Sequence, residues 1–153
     1  MGSSCFLDSS ALVKLYVEEA GTEFMLRLAE QAAGTLFVSA LASAEIASAL
    51  YRLERGGQLP RAAADSLLAA FRSDLHTRYV MQPVSDAVLG AAVELIQRHP
   101  LRAYDAMQLA ACATVARQQT PIELRFVCSD VRLLRAAADE GFEYVNPEDD
   151  ATS

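Results

Sequence analysis

Short apolar runs alternate along the chain with stretches whose apolar residues recur at helical spacing. Cys5-Phe6-Leu7 reads as a buried strand ending at Asp8, with Ser9 and Ser10 supplying the cap of a helix that runs to about Glu18. Gly21-Thr22 restarts a second helix to about Gln31, and Leu36-Phe37-Val38 forms the next strand. A helix from about Leu41 to Arg55 is stopped by Gly56-Gly57, and Pro60 opens another in its first turn, to about Leu75. Tyr79-Val80-Met81 is the third strand, followed by a helix that Ser85 caps and that ends near His99-Pro100. A further helix covers about Ala103 to Gln118, Arg125-Phe126-Val127-Cys128 is the fourth strand, and a last helix runs to about Glu140 before Gly141. Tyr144-Val145 is a small final strand.

Strands separated by one or two helices need crossover connections, so the sheet is expected to be mainly parallel, with helices on both faces. The pattern predicts one helix-rich α/β domain over residues 1–147, followed by an acidic, frayed tail at 148–153. The opening Met1-Gly2-Ser3-Ser4 carries no functional weight. No basic region precedes the first apolar run, so a secretory leader is not expected, and no apolar stretch approaches a membrane span.

Composition narrows the function classes. A chain of 153 residues that is 52% hydrophobic can bury a core without disulfides or a structural metal. The three cysteines, Cys5, Cys112 and Cys128, lack metal-ligand spacing and read as small buried hydrophobes in a reducing, cytoplasmic setting. The net charge of −7 excludes the basic coat of a sequence-neutral DNA binder, so any contact with nucleic acid must be local. The positive charge is almost all arginine, Lys14 being the single lysine. Lys14 and Arg102 are candidates for substrate contacts at the rim of a site.

Most acids fall on solvated helix faces, but four do not. Asp8 and Asp130 end the first and fourth strands, the edge where parallel sheets bind ligands. Each could instead cap the following helix, although Ser9 and Ser129 offer alternative caps that would leave the aspartates free. Glu45 and Asp105 lie in small, apolar helical segments where an unpaired carboxylate is costly to bury. The plainer reading makes Glu45 an ion-pair partner of Arg52 or Arg102, and Asp105 a first-turn acid favoured by the helix dipole. Gathered on one rim, the four would repel one another unless a cation neutralised them. An all-oxygen site without Cys or His suits Mg²⁺ or Mn²⁺, and such a site suits phosphodiester hydrolysis.

These segments, in this order, resemble the PIN-domain ribonucleases, and in particular the VapC toxins of bacterial toxin–antitoxin pairs. The matching pieces are Leu7-Asp8-Ser9-Ser10-Ala11-Leu12 and its continuation to Tyr16, Ser43-Ala44-Glu45 running to Leu50, Leu101-Arg102-Ala103-Tyr104-Asp105-Ala106-Met107-Gln108, and Val127-Cys128-Ser129-Asp130. The resemblance implies a three-layer α/β/α sandwich and an endoribonuclease. By it, Asp8, Glu45, Asp105 and Asp130 form an acidic quartet that binds Mg²⁺, for which Mn²⁺ substitutes. Asp8 and Asp105 would be direct ligands, and Asp130 would complete the site. Glu45 would ligate the metal, directly or through water, or position the attacking water, and Ser129 would be a supporting hydroxyl. The chain departs from the pattern at Leu133 and Leu134, where some relatives carry a polar or acidic residue, which weakens the case for a second metal. The partners implied are an RNA substrate, a VapB-type antitoxin that wraps the toxin, and a second copy in a homodimer or a toxin–antitoxin hetero-oligomer. No membrane is implied.

Two other acid-bearing folds fit poorly. A phosphoacceptor receiver domain needs a lysine at a late strand end, and a haloacid-dehalogenase-type phosphatase needs an Asp where Ser10 stands. His76 and His99 fall outside the motifs and read as surface or helix-end residues. The non-enzyme alternative is a catalytically weak PIN-like module that binds RNA or protein without cleavage.

Overall fold

The computed structural model describes residues 2–149. Five strands form one sheet in the order β3-β2-β1-β4-β5, and every pairing is parallel. They are β1 (Ser4–Leu7), β2 (Leu36–Ser39), β3 (Tyr79–Gln82), β4 (Leu124–Val127) and β5 (Glu143–Val145). The helices are α1 (Ser9–Leu12), α2 (Thr22–Gln31), α3 (Ala42–Arg55), α4 (Arg61–Thr77), α5 (Asp86–Arg98), α6 (Ala103–Gln118) and α7 (Val131–Asp139).

Alternation along the central strand separates two cores. Phe6 faces the α5, α6 and α7 side with its register partners Phe37 and Phe126. The Phe6 and Phe126 rings stack with centroids 6.1 Å apart. Cys5 and Leu7 face the other way, with Leu36, Val38 and Val127, against residues of α1 to α4. Helices therefore cover both faces of an apolar sheet, which is the α/β/α layering expected for parallel strands.

The elements follow the hydrophobic pattern with a few differences. The first helix does not run to Glu18: α1 ends at Leu12 and continues as a 3₁₀ turn over Val13–Leu15. The reason is tertiary. Lys14 turns inward, and Tyr16 donates its hydroxyl to Asp74 Oδ2 at 2.6 Å while lying 2.7 Å from the Tyr79 hydroxyl. Pro60 stands at the N-cap of α4, just outside the first turn, and Cys128 falls one residue beyond β4. Gly57 takes the left-handed φ of 78° that follows the end of α3, and Gly141 does the same after α7 at 85°.

Glu148, which begins the expected tail, is held in an ion pair 3.0 Å from Lys14 Nζ. Residues 150–153 of that expected tail lie outside the described residues. No described helix is long and apolar enough to cross a membrane.

Candidate functional site

Because β1 and β4 are neighbours, their carboxyl ends bring Asp8 and Asp130 to the same edge of the sheet. Both aspartates cap helices, so the expectation that Ser9 and Ser129 would relieve them is corrected. Asp8 Oδ1 accepts from Ala11 N at 3.0 Å and from Ser10 Oγ at 2.6 Å. Asp130 Oδ1 accepts from Arg132 N at 2.9 Å and Leu133 N at 3.2 Å. A carboxylate one residue before the first turn reaches these amides directly, whereas Ser9 already lies inside the helix and Ser129 lies one residue too early. The caps occupy one oxygen of each residue. Asp8 Oδ2 accepts from the Cys128 thiol at 3.3 Å, and Asp130 Oδ2 has no hydrogen bond among the described residues.

Asp8 is 4% exposed. Burial pushes its carboxyl up to about 6, the hydrogen bonds from Ser10, Ala11 and Cys128 pull the other way, and the Glu45 charge adds a smaller upward push. Asp105, half-buried in the first turn of α6, is also raised, by burial and then by Asp130, with Arg102 and Arg132 opposing. The Glu45 charge thus reaches Asp8, and the Asp130 charge reaches Asp105.

Glu45 projects from the first turn of α3 and makes no salt bridge among the described residues, contrary to the plainer reading. Its Oε1 accepts from Gln108 Nε2 at 3.2 Å, and the same amide nitrogen donates to Ser9 Oγ at 3.0 Å. Gln108 thereby ties α6 to α1 and α3 across the site. Sequence reasoning missed it, although a glutamine inside the apolar run Met107–Ala111, three residues beyond Asp105, was an available signal.

Cys128 is a second omission. It is buried as expected, yet its sulfur also accepts from Asp130 N at 3.3 Å, so one thiol touches both strand-end aspartates. Burial, and then the Asp8 charge, hold that thiol protonated far above neutral pH. Ser129 donates its backbone N–H to Ser10 Oγ at 3.0 Å, while its own Oγ is buried without a partner.

Lys14 is corrected. It is not at the rim but 3% exposed, with Nζ 2.9 Å from Glu19 and 3.0 Å from Glu148. Arg102 is exposed at the N-cap of α6, close enough to lower Asp105.

A cavity of about 490 Å³ opens beside Glu45, the one acid of the four that lines it, with Ser9, Ser48, Arg52 and Tyr104 among its other walls. A larger one, about 550 Å³, lies at the opposite end of the strands beside Gly2, Cys5 and Arg125, away from all four acids.

The donor set suits a hard cation: four carboxylates and the unpartnered Ser129 hydroxyl, all oxygen. Among the described residues, no three Asp, Glu, His or Cys side chains already converge closely enough to hold an ion. A site of this donor set would have to bring at least three of these groups closer together.

The parallel sheet, its helical layers and the acids at its carboxyl edge define an α/β/α protein with a strand-end acidic site. Residues 5–139 match the PIN domain family, and the chain belongs to it. The chain is similar in structure to VapC20 of Mycobacterium tuberculosis, described as a sarcin-ricin loop cleaving toxin, with a TM-score of 0.63 and 20% identity over 90% of this chain and 95% of that one. It is similar to PAE2754 of Pyrobaculum aerophilum, with a TM-score of 0.62 and 25% identity over 99% and 95%. It is also similar to VapBC2 of Rickettsia felis, solved bound to promoter DNA, with a TM-score of 0.62 and 13% identity over 94% and 98%. Comparison with curated proteins gives no significant sequence match.

Proposed function

We propose that this chain is a metal-dependent endoribonuclease that acts as the toxin of a VapBC-type pair. The observation that carries the reading is the placement of Asp8 and Asp130 at adjoining strand ends, with Glu45 and Asp105 interacting with them from α3 and α6. Asp8, Asp105 and Asp130 would hold Mg²⁺, or Mn²⁺ in its place, with Glu45 as a further ligand or a positioner of water. When bound, such an ion supplies a more acidic water and charge stabilisation at the leaving oxygen.

The protein's own groups prepare that chemistry. Ser10, Ala11 and Cys128 fix the orientation of the Asp8 carboxylate and favour its ionised form. Gln108 fixes Glu45, whose second oxygen is left without a hydrogen bond among the described residues. Arg102, exposed beside Asp105, supplies positive charge where an RNA phosphate approaches. Ser129 offers a hydroxyl that lacks any other partner.

A VapB-type antitoxin is the partner this reading implies. The solved VapBC2 and a toxin–antitoxin complex from Klebsiella pneumoniae share the fold and support it. The three buried, unpaired cysteines suit the cytoplasm.

One observation favours the second reading, a PIN-like module that binds without cleaving: the described acids do not converge three at a time. The test is incubation of the purified chain with RNA in Mg²⁺ or Mn²⁺. Cleavage that EDTA abolishes, with growth arrest on expression in bacteria that a co-expressed antitoxin relieves, is expected. Binding of RNA without cleavage in either metal would favour the module.

A further inference from the structure

We infer that Tyr104 is a stacking platform for an unpaired nucleobase, and that the cavity beside Glu45 receives single-stranded RNA next to the bond that is cut. The inference rests on the nuclease reading for its place in a reaction, but the contact itself is independent of cleavage.

Of the other four tyrosines three have found partners, and the fourth, Tyr144, lies on the edge strand β5, where it lines neither the acidic site nor its cavity. Tyr16 and Tyr79 pair through their hydroxyls, and Tyr51 donates to Asp65 beneath the Arg61 guanidinium. Tyr104 has neither a hydrogen bond nor a ring contact among the described residues, and it is 65% exposed. It stands one residue before Asp105 in the first turn of α6, and it lines the cavity that Glu45 and Ser9 also line. An exposed, uncommitted aromatic ring beside an acidic site is poorly explained by folding, because it adds nothing to either core.

The other walls complete a nucleotide's requirements. Arg52, on the same cavity, has no carboxylate partner among the described residues and reaches only Ser48 Oγ at 3.4 Å. A guanidinium free of ion pairs can take a phosphate in fork geometry, and the serine hydroxyls can take a ribose. The cavity thus gathers in its walls a ring for a base, a cation for a phosphate, and the Glu45 carboxylate of the acidic site. Every base has a π-face, so the ring selects for an unpaired base and not for its identity. A duplex offers no such base, since its bases are stacked within the helix.

The chain contains no tryptophan, so Tyr104→Trp creates a unique fluorophore at the proposed contact. The experiment titrates Tyr104→Trp, in an Asp8→Asn background with Mg²⁺ to block cleavage, with a mixed-sequence oligoribonucleotide. Asn caps helices about as well as Asp, so the background is expected to fold. Three forms of the strand are compared: single, annealed to its complement, and carrying an abasic position. Saturable quenching by the single strand alone, weakened at the abasic position, is expected. In the same Asp8→Asn background without the tryptophan, Tyr104→Ala should weaken single-strand affinity roughly tenfold or more, and Tyr104→Phe should not. In the otherwise unsubstituted chain, Tyr104→Ala should raise KM with little change in kcat.

Equal quenching by duplex and single strand overturns the proposal, as does quenching by neither, the result expected if the ring serves only a protein partner. Unchanged affinity in Tyr104→Ala also overturns it. Quenching by the single strand together with an unsubstituted protein that cleaves nothing upholds the contact and removes the nuclease reading, so the two failures are distinguishable.

Discussion

The Cys128 thiol donates to Asp8 Oδ2 across 3.3 Å, joining the end of β4 to the end of β1 at the buried heart of the acidic site. This hydrogen bond is one of the forces that favour ionised Asp8 against its burial. Cys128→Ala should therefore raise the Asp8 pKa above its value of about 6 and move the rising limb of the pH–cleavage profile upward. Cys128→Ser keeps a donor and should move the limb less. The removed sulfur also leaves a small void, costing about 1–2 kcal/mol in denaturant unfolding. An unchanged pH limb in Cys128→Ala would show that the thiol only fills space.

Asp8 also makes stability depend on pH in the direction opposite to an ion-paired carboxylate. Its folded-state pKa lies above the ordinary value of 3.8, so the native protein holds a proton that the unfolded chain has released. In EDTA, stability should fall as pH rises from about 4 through about 6 and then level, with a cost on the order of 3 kcal/mol at neutral pH. Asp105 is raised as well and acts in the same sense. Asp8→Asn, measured by thermal unfolding, should be more stable than the unsubstituted protein at pH 7 and should flatten the slope. Equal slopes in the two proteins would contradict this.

The fold was largely legible because parallel strands buried on both faces write themselves as short apolar runs, and Phe6, Phe37 and Phe126 are such positions. What was not legible depended on tertiary partners. The first helix stops early because Lys14 and Tyr16 are drawn to Glu148, Asp74 and Tyr79, all distant in sequence. The site was half legible. Asp8 and Asp130 stand out at strand ends, but that Cys128 bridges them and Gln108 holds Glu45 depends on side-chain directions that spacing does not reveal.

Gln108 separates positioning from folding. Its amide nitrogen serves Ser9 and Glu45, while its Oε1 is buried without a partner. Gln108→Leu removes that unpaired oxygen along with the two donor contacts, so stability should change by less than about 1 kcal/mol. Cleavage should drop roughly 10- to 100-fold, as expected when the group orienting a carboxylate is lost. Full activity in Gln108→Leu would remove Gln108 from the site.

Lys14 offers the reverse case. Burial alone would lower its ammonium, but Glu19 and Glu148 outweigh that and raise it. Lys14→Ala should cost about 1–2 kcal/mol of stability, limited because both glutamates stay solvated, and Lys14→Met should cost less. Neither should change RNA affinity measured by fluorescence anisotropy. A large loss of affinity at unchanged stability would return Lys14 to the substrate surface.

The most direct measurement of the central claim is cleavage of RNA by the purified chain and by Asp105→Asn, side by side, in Mg²⁺ and in EDTA. Asp105 is exposed enough that its replacement should leave the fold intact, as circular dichroism would verify. The account predicts cleavage by the unsubstituted chain in Mg²⁺, none in EDTA, and a loss of at least about a hundredfold in Asp105→Asn. Cleavage by Asp105→Asn at the unsubstituted rate, or cleavage that persists in EDTA, would contradict it.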